Sequence, residues 1–272
     1  MVIFPNCKIN LGLNILQKRE DGYHDIETLF FPLPLYDVLE IVTAKNNTQF
    51  NNTGIKAGEA EDNLCLKAYH LVKKDYPQLP EISMHLHKAI PIGAGLGGGS
   101  ADAAFTLLLI NKKYDLHIPH SKLFDYALQL GSDCPFFLMN KPSLASGRGE
   151  KMEEIILSLS DYKILIVNPG IHVNTKEIFQ QIKPAFPPKK IKEIIQQPII
   201  TWKNALTNDF EKVVFPLHPE IKKIKENLYA NHAIYASMTG TGSTVFGIFK
   251  KDDKIHFPVE KGYFQKWIDK LD

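Results

Sequence analysis

The feature that most constrains this chain is residues 91–109, "PIGAGLGGGSADAAFTLLL", where five of the seven residues 93–99 are glycine. Glycine loses more conformational freedom on folding than any other residue, so such a cluster is favoured only where something must approach the backbone closely. Just upstream, "EISMHLH" (81–87) alternates, with Ile82, Met84 and Leu86 on one side, as in a half-buried strand. Just downstream, residues 100–113 read as an apolar helix. A strand, a glycine turn and a helix N-terminus in this order make an anion site, where unpaired backbone N–H groups converge and the helix dipole adds positive charge. Phosphate suits such a site.

Three readings of the glycines are weaker. A P-loop needs a lysine after its last glycine, but Lys88 precedes the run and Lys112 lies far down the helix. Gly93, Gly95 and Gly98 spell the dinucleotide pattern GxGxxG, which also requires a second strand ending in an acid roughly 20 residues later. That region reads "DLHIPHSKLFDYALQ", a loop and then a helix with Gly131 placed to stop it. Helix–sheet packing alone would call for one or two glycines rather than five.

The rest of the chain sets the class. Its 272 residues support one large domain or two modest ones, and 44% apolar with 23% charged residues is ordinary for a globular protein. A formal net charge of +2 gives no electrostatic footprint for nucleic acid. Cys7, Cys65 and Cys134 form no CxxC pair, which argues against a disulfide framework or a zinc site. With no signal-peptide pattern and no long apolar window, a cytoplasmic protein without a membrane span is expected. "CKINLGLNIL" predicts a strand with Ile9, Leu11, Leu13 and Ile15 buried and Lys8, Asn10, Gly12 and Asn14 on a polar face. "REDGYH" predicts a turn, "EDNLCLKAYHLVKKDY" a helix, "SLASGRGEKMEEI" a turn-rich passage and "KILIV" a buried strand. The pattern restarts near residue 157, so an α+β chain of two domains, 1–156 and 157–272, is expected.

"PxxxGLGGGS" (Pro91, Gly95, Leu96, Gly97, Gly98, Gly99, Ser100) resembles the phosphate-binding motif of the galactokinase–homoserine kinase–mevalonate kinase–phosphomevalonate kinase (GHMP) superfamily. "CKINLGLNILQKREDGYHDIETLF", "EDNLCLKA", "GSDCPFF", "ASGRGE", "NPGIHVNTKEIF" and "MTGTGSTVFGIF" follow in the order of one branch. That branch phosphorylates the 2-hydroxyl of a cytidine-diphosphate-linked methylerythritol, in the non-mevalonate route to isoprenoid precursors. The resemblance runs from Phe4 to about Phe249. The Gly-Glu-His type sequence of mevalonate kinase and galactokinase is absent.

The resemblance implies a two-domain GHMP-kinase-like fold with the active site in the cleft between domains, and the use of ATP with Mg²⁺. It places Pro91, Ile92, Gly93, Ala94, Gly95, Leu96, Gly97, Gly98, Gly99, Ser100 and Ala101 on the ATP phosphates. Asn63, Leu64 and Lys88 fall near the adenine. Lys8 and Asp133 become the catalytic pair, and Asn10, Tyr23, His24, Phe30, Thr175 and Phe179 become substrate contacts. It implies a small-molecule substrate, no dedicated metal cage, and no nucleic-acid, membrane or obligate protein partner. One departure stands out, since relatives usually continue the glycine run with two serines and here Ser100 is followed by Ala101.

The residues read alone leave plainer alternatives. Asp133, between Gly131 and Pro135, also suits a turn or a helix cap. Lys8 also suits a strand lysine pointing at water. Tyr23 and Phe179 also suit ordinary packing, and His24 a loop histidine. His85 and His87 share one strand face and read as solvated rather than metal-ligating. The basic, proline-punctuated residues 183–198 read as an exposed loop and helix, with a membrane or partner role as the alternative. A kinase for homoserine or a sugar, or a silent nucleotide-binding protein, are the competing functions.

Overall fold

The computed structural model of the chain describes residues 1–55, 63–258 and 260–271, so Glu61 and Asp62 of the first predicted helix lie outside the described residues. The chain forms two compact units. One gathers Met1–Cys7, Leu35–Ile92 and Gly97–Asn140, and the other Lys8–Pro34, Gly93–Leu96 and Lys141–Asp272. The boundary expected at 156/157 therefore falls inside the second unit. The reason lies in strand pairing, since residues 26–30 hydrogen-bond with residues 143–147.

The first unit holds strands β1 (Val2–Ile3), β4 (Val38–Thr43), β5 (Gln49–Gly54) and β6 (Ile82–Lys88), in the order β1-β4-β6-β5. Its helices are α1 (Leu64–Asp75), α2 (Gly98–Lys113), α3 (His120–Leu130) and α4 (Cys134–Met139). Asn63 caps α1 by accepting the Cys65 N–H at 2.9 Å, and Cys65, Ala68, Tyr69 and Val72 form the buried stripe of that helix. Lys73 and Lys74 in its last turn complement the helix dipole. Ile82, Met84 and Leu86 of β6 are buried as predicted, while His85 and His87 share the Thr53 hydroxyl at 2.9 and 3.0 Å. α2 is buried almost all round, which explains its uninterrupted apolar run. α3 ends at Gly131 with φ 167°, so the chain leaves in extended form rather than through the left-handed turn of a glycine stop.

The second unit carries two four-stranded sheets. β2 (Asn6–Lys18) and β3 (His24–Tyr36) contribute most of their length to it, joined by the turn at Asp21 and Gly22. They form the sheet β2-β3-β7-β8 with β7 (Ser143–Gly147) and β8 (Lys151–Glu154). The passage expected only as turn-rich is thus a hairpin. The other sheet has the order β10-β11-β9-β12, from β9 (Tyr162–Asn168), β10 (Tyr235–Met238), β11 (Val245–Lys250) and β12 (Phe264–Ile268). β9 lies between β11 and β12, so its apolar run "KILIV" is covered as a central strand should be. Helices α5 (Thr175–Gln181), α6 (Ile191–Ile194), α7 (Glu211–Leu217) and α8 (Pro219–Ala230) complete the unit. Leu165, Val167, Ile178, Val214, Ile224 and Phe249 lie in its core. In the basic stretch, α6 buries Ile191 and Ile194 while Phe186 is 74% exposed.

β2 departs from its pattern in one respect. Its apolar face is buried as predicted, but so are Lys8, Asn10 and Asn14 on the polar face. Burying polar groups is tolerable only where each finds a partner. Asn10 Nδ2 donates to Thr28 Oγ1 at 2.8 Å, and Asn14 Nδ2 to Glu27 Oε2 at 3.1 Å.

Candidate active site

In the second unit, Lys8 is the first residue to place. At 2% exposure it does not point at water. Its ammonium donates to Asn10 Oδ1 at 2.7 Å and to the Gly95 carbonyl at 3.0 Å, and lies 5.3 Å from the centre of the Phe30 ring. Its backbone N–H donates to the Leu96 carbonyl at 2.9 Å, which ties β2 to the glycine loop. Asn10 Oδ1 also accepts from Thr239 Oγ1 at 3.1 Å and from Gly240 N at 3.0 Å. Thr239 Oγ1 lies 3.1 Å from the Gly95 carbonyl, and Thr244 N donates to the Ala94 carbonyl at 3.3 Å. Asn208 Nδ2 fixes the same turn through the carbonyls of Met238 and Gly240, both at 2.8 Å. One network of buried hydrogen bonds thus sets the lysine and the first half of the loop together.

Gly95 shows why this half of the loop needs glycine. Its φ is +77°, and a Cβ there would stand 2.0 Å from the Thr239 carbonyl oxygen. Left-handed backbone costs an ordinary residue about 1–2 kcal/mol before any clash. Gly95→Ala is therefore expected to lower thermal stability by at least that amount, as a thermal melt would record. Gly93, with φ 62°, faces the exposed His172, whose Nδ1 would lie 3.6 Å from a Cβ there.

Further along the second unit, His24 and Phe179 stack with ring centres 5.1 Å apart and 28° between planes, and Phe179 meets Phe210 edge-on at 4.8 Å. Burial, with the charge of Lys18 in support, holds the His24 pKa below its usual value, so the ring is neutral at pH 7. Tyr23, half exposed, has the Arg148 guanidinium 3.9 Å from its ring centre. Thr175 opens α5, and its hydroxyl shares a hydrogen bond with that of Thr241 at 2.9 Å.

The first unit gathers the other expected residues around the start of α2. Gly97, with φ 71°, turns the chain into the helix. A Cβ on Gly98 would stand 2.9 Å from Ile90 Cγ2 and 3.2 Å from Lys88 Nζ, so the helix begins hard against the end of β6. Among the described residues a Cβ on Gly99 would meet only Leu64 Cδ1, at 3.9 Å, which puts Leu64 beside an open stretch of loop backbone. Ala101 is buried, with its N–H donating to the Gly97 carbonyl at 2.9 Å, so a second serine hydroxyl there would face inward. Ser100 Oγ lies 4.0 Å from where a Gly131 Cβ would stand, which brings the turn carrying Asp133 to the helix start. Asp133 precedes α4 with φ −86° and makes no side-chain capping bond to it. A capping role for this aspartate is therefore removed. Pro91 and Ile92 lie just before the loop, with Ile92 half exposed.

Lys88, expected beside the adenine, has its ammonium buried between the carboxylates of Asp37 and Asp102, the latter at 2.7 Å. Sequence reasoning missed both acids, and also Thr239, Asn208, Arg148 and His172. Thr239 and Arg148 sit in quoted glycine-containing motifs that could have flagged them. Asp37 and Asn208 carry no local signal.

The GHMP kinases N terminal domain family model matches residues 63–141, and the GHMP kinases C terminal model matches residues 191–257. A 4-diphosphocytidyl-2-C-methyl-D-erythritol kinase of Bacteroides fragilis is 51% identical over 259 residues, 94% of each chain. The crystal structure of a 4-(cytidine 5'-diphospho)-2C-methyl-D-erythritol kinase superposes with a TM-score of 0.79 at 31% identity, covering 91% of this chain and 89% of that one. Methanococcus jannaschii mevalonate kinase shares the fold, with a TM-score of 0.71 at 14% identity and 98% of each chain covered. Fold and family models together define an ATP-dependent small-molecule kinase of the GHMP class. Within that class, the chain belongs to the 4-diphosphocytidyl-2-C-methyl-D-erythritol kinase family.

Proposed function

We propose that the chain transfers the γ-phosphoryl group of ATP to the 2-hydroxyl of 4-diphosphocytidyl-2-C-methyl-D-erythritol, in the non-mevalonate route to isoprenoid precursors. The observation that carries this reading is the 51% identity to the B. fragilis kinase over 94% of both chains.

Phosphoryl transfer to an alcohol is largely positioning and charge stabilisation. The backbone N–H groups of Gly97, Gly98, Gly99 and Ser100 at the start of α2 receive the ATP phosphates, with Asn63 and Leu64 at the edge of the nucleotide site. Asp133 accepts the proton of the acceptor hydroxyl as it attacks, and the Lys8 ammonium stabilises negative charge on that oxygen. Mg²⁺, when bound with ATP, neutralises phosphate charge. A hard ion held mainly by phosphate oxygens needs few protein ligands, and the Ser100 hydroxyl and Asp133 carboxylate near the loop suit that need. Neutral His24 and Phe179 offer flat faces to the cytosine, with Tyr23 and Thr175 as further contacts and Asn10 and Phe30 setting Lys8. The reaction is assigned to the cytoplasm, and among the described residues no helix is long and apolar enough to cross a membrane.

An ATP-consumption assay over a panel of alcohols tests the reading. Turnover is expected with the cytidylylated methylerythritol and not with homoserine, galactose or mevalonate. Turnover only on acceptors without the cytidine group would overturn it. Base–aromatic stacking contributes about 1–3 kcal/mol per base, so Phe179→Ala is expected to raise the KM for the cytidylylated substrate about tenfold. Under the same assay its KM for ATP should stay close to wild type.

A further inference from the structure

Of the chain's 32 lysines and arginines, only Arg19 and Arg148 are arginine. Arg19 is tied into the β2–β3 turn by ion pairs to Asp21 and Asp25, both at 3.0 Å. Arg148 opens the turn between β7 and β8, which lies against β3 because Gly147 pairs with Ile26. Among the described residues its guanidinium makes no ion pair, and its buried Nε has no hydrogen-bond partner. Glu150, the nearest acid in the sequence, is held against the backbone instead. Its Oε2 accepts the Arg148 N–H at 2.6 Å, and its Oε1 would lie 2.7 Å from a Cβ on Gly147, whose φ is +68°. The guanidinium lies over the Tyr23 ring, its central carbon 3.9 Å from the ring centre. Taking a cationic donor out of water without a partner carries a cost that a bound anion would offset.

We propose that Arg148 is a specificity-determining residue that binds the diphosphate of the cytidine-diphosphate-linked substrate. The inference rests on the reading that Tyr23, His24 and Phe179 take the cytosine. Tyr23 directly precedes His24, which stacks on Phe179, so the guanidinium stands one residue along the chain from that aromatic pair. In the substrate the diphosphate follows the cytosine after a single ribose, with a negative charge on each phosphate. A guanidinium is a rigid fork of donors that meets two phosphate oxygens at once, whereas an ammonium acts as a point charge. In a chain that uses lysine nearly everywhere else, an unpaired arginine at this turn is explained by shape as well as by charge. The Tyr23 ring holds the guanidinium in place before an anion arrives, which lowers the cost of ordering it on binding. Asp21 and Asp25 on the neighbouring turn are paired with Arg19, which lessens their repulsion of an anion.

The test is inhibition of the reaction by cytidine and by CDP, each measured against the cytidylylated methylerythritol at saturating ATP, which keeps the phosphate loop occupied. In the wild type CDP should bind more tightly than cytidine. Arg148→Gln keeps a polar side chain but loses the charge and the fork. It is expected to weaken CDP about tenfold, the scale of a lost hydrogen bond to a charged group, and to leave cytidine within about twofold. Arg148→Lys should keep part of the CDP advantage, because it retains the charge without the fork. The KM for the cytidylylated substrate should rise in step with the CDP constant, while the KM for ATP stays near wild type. Each comparison is made within one protein, so a variant of lower stability still reports its CDP-to-cytidine ratio. Equal weakening of CDP and cytidine by Arg148→Gln would overturn the proposal and leave Arg148 as packing for Tyr23. An unchanged constant for CDP would overturn it as well. Failure of the wild type to turn over the cytidylylated substrate would overturn the proposed function itself.

Discussion

Asp133→Asn is expected to keep the fold and to lose about 10²–10⁴-fold in turnover, the usual contribution of a positioned general base. The side chain makes no capping bond to α4 although it stands at the cap position. Asparagine matches the shape and keeps one acceptor oxygen but cannot take up the hydroxyl proton. A fall in turnover far larger than any fall in the melting temperature is the expected pattern. On the proposed reading, in which the Gly97–Ser100 backbone holds the phosphates, the KM for ATP should move little. Turnover within threefold of wild type would take Asp133 out of the mechanism.

Lys8→Met should lose about 10²–10³-fold in turnover, the scale seen when one preorganised charge stabiliser is removed. What makes this variant informative is the surrounding hydrogen bonding. Without the ammonium, Asn10 Oδ1 still accepts from Gly240 N, and Thr239 Oγ1 can give its one proton to the Gly95 carbonyl. Of these two acceptors neither is left without a donor, so neither carries the usual penalty of about 1–3 kcal/mol for an unsatisfied polar group. Methionine also fills the space against the Phe30 ring. A large fall in turnover with a nearly unchanged melt would separate catalysis from packing. Equal losses of stability and activity would assign the lysine to the scaffold.

The glycine loop was legible because so costly a run of flexible backbone is hard to justify without a ligand close to it. The half-buried alternation of β6 and the apolar run of β9 were legible as period and length. Lys8 was not. Its strand pattern reads as a wet face, and what dries that face is Thr28 on the neighbouring strand and Thr239 from the far end of the chain. The ion pairs of Lys88 were not legible for a related reason: its two acids come from a link between strands and from an alanine-rich helix, and neither location announces an ion pair. The stacking of His24 on Phe179 follows from no periodicity at all. Only the resemblance pointed to it.

The interleaving of the two units bears on how the chain folds as it is made. Residues 35–140, nearly all of the first unit, form one span broken only by Gly93–Leu96. Once Asn140 has emerged, that unit lacks nothing that is still to be synthesised. β2 and β3 appear early but lack β7, and Ile26 must wait for Gly147 and Phe30 for Ser143. During that interval the hairpin has an unpaired edge, the feature that invites pairing with another chain. A nascent chain stalled before Ser143 should therefore be more prone to self-association than one stalled after Glu154, even though its first unit is complete in both.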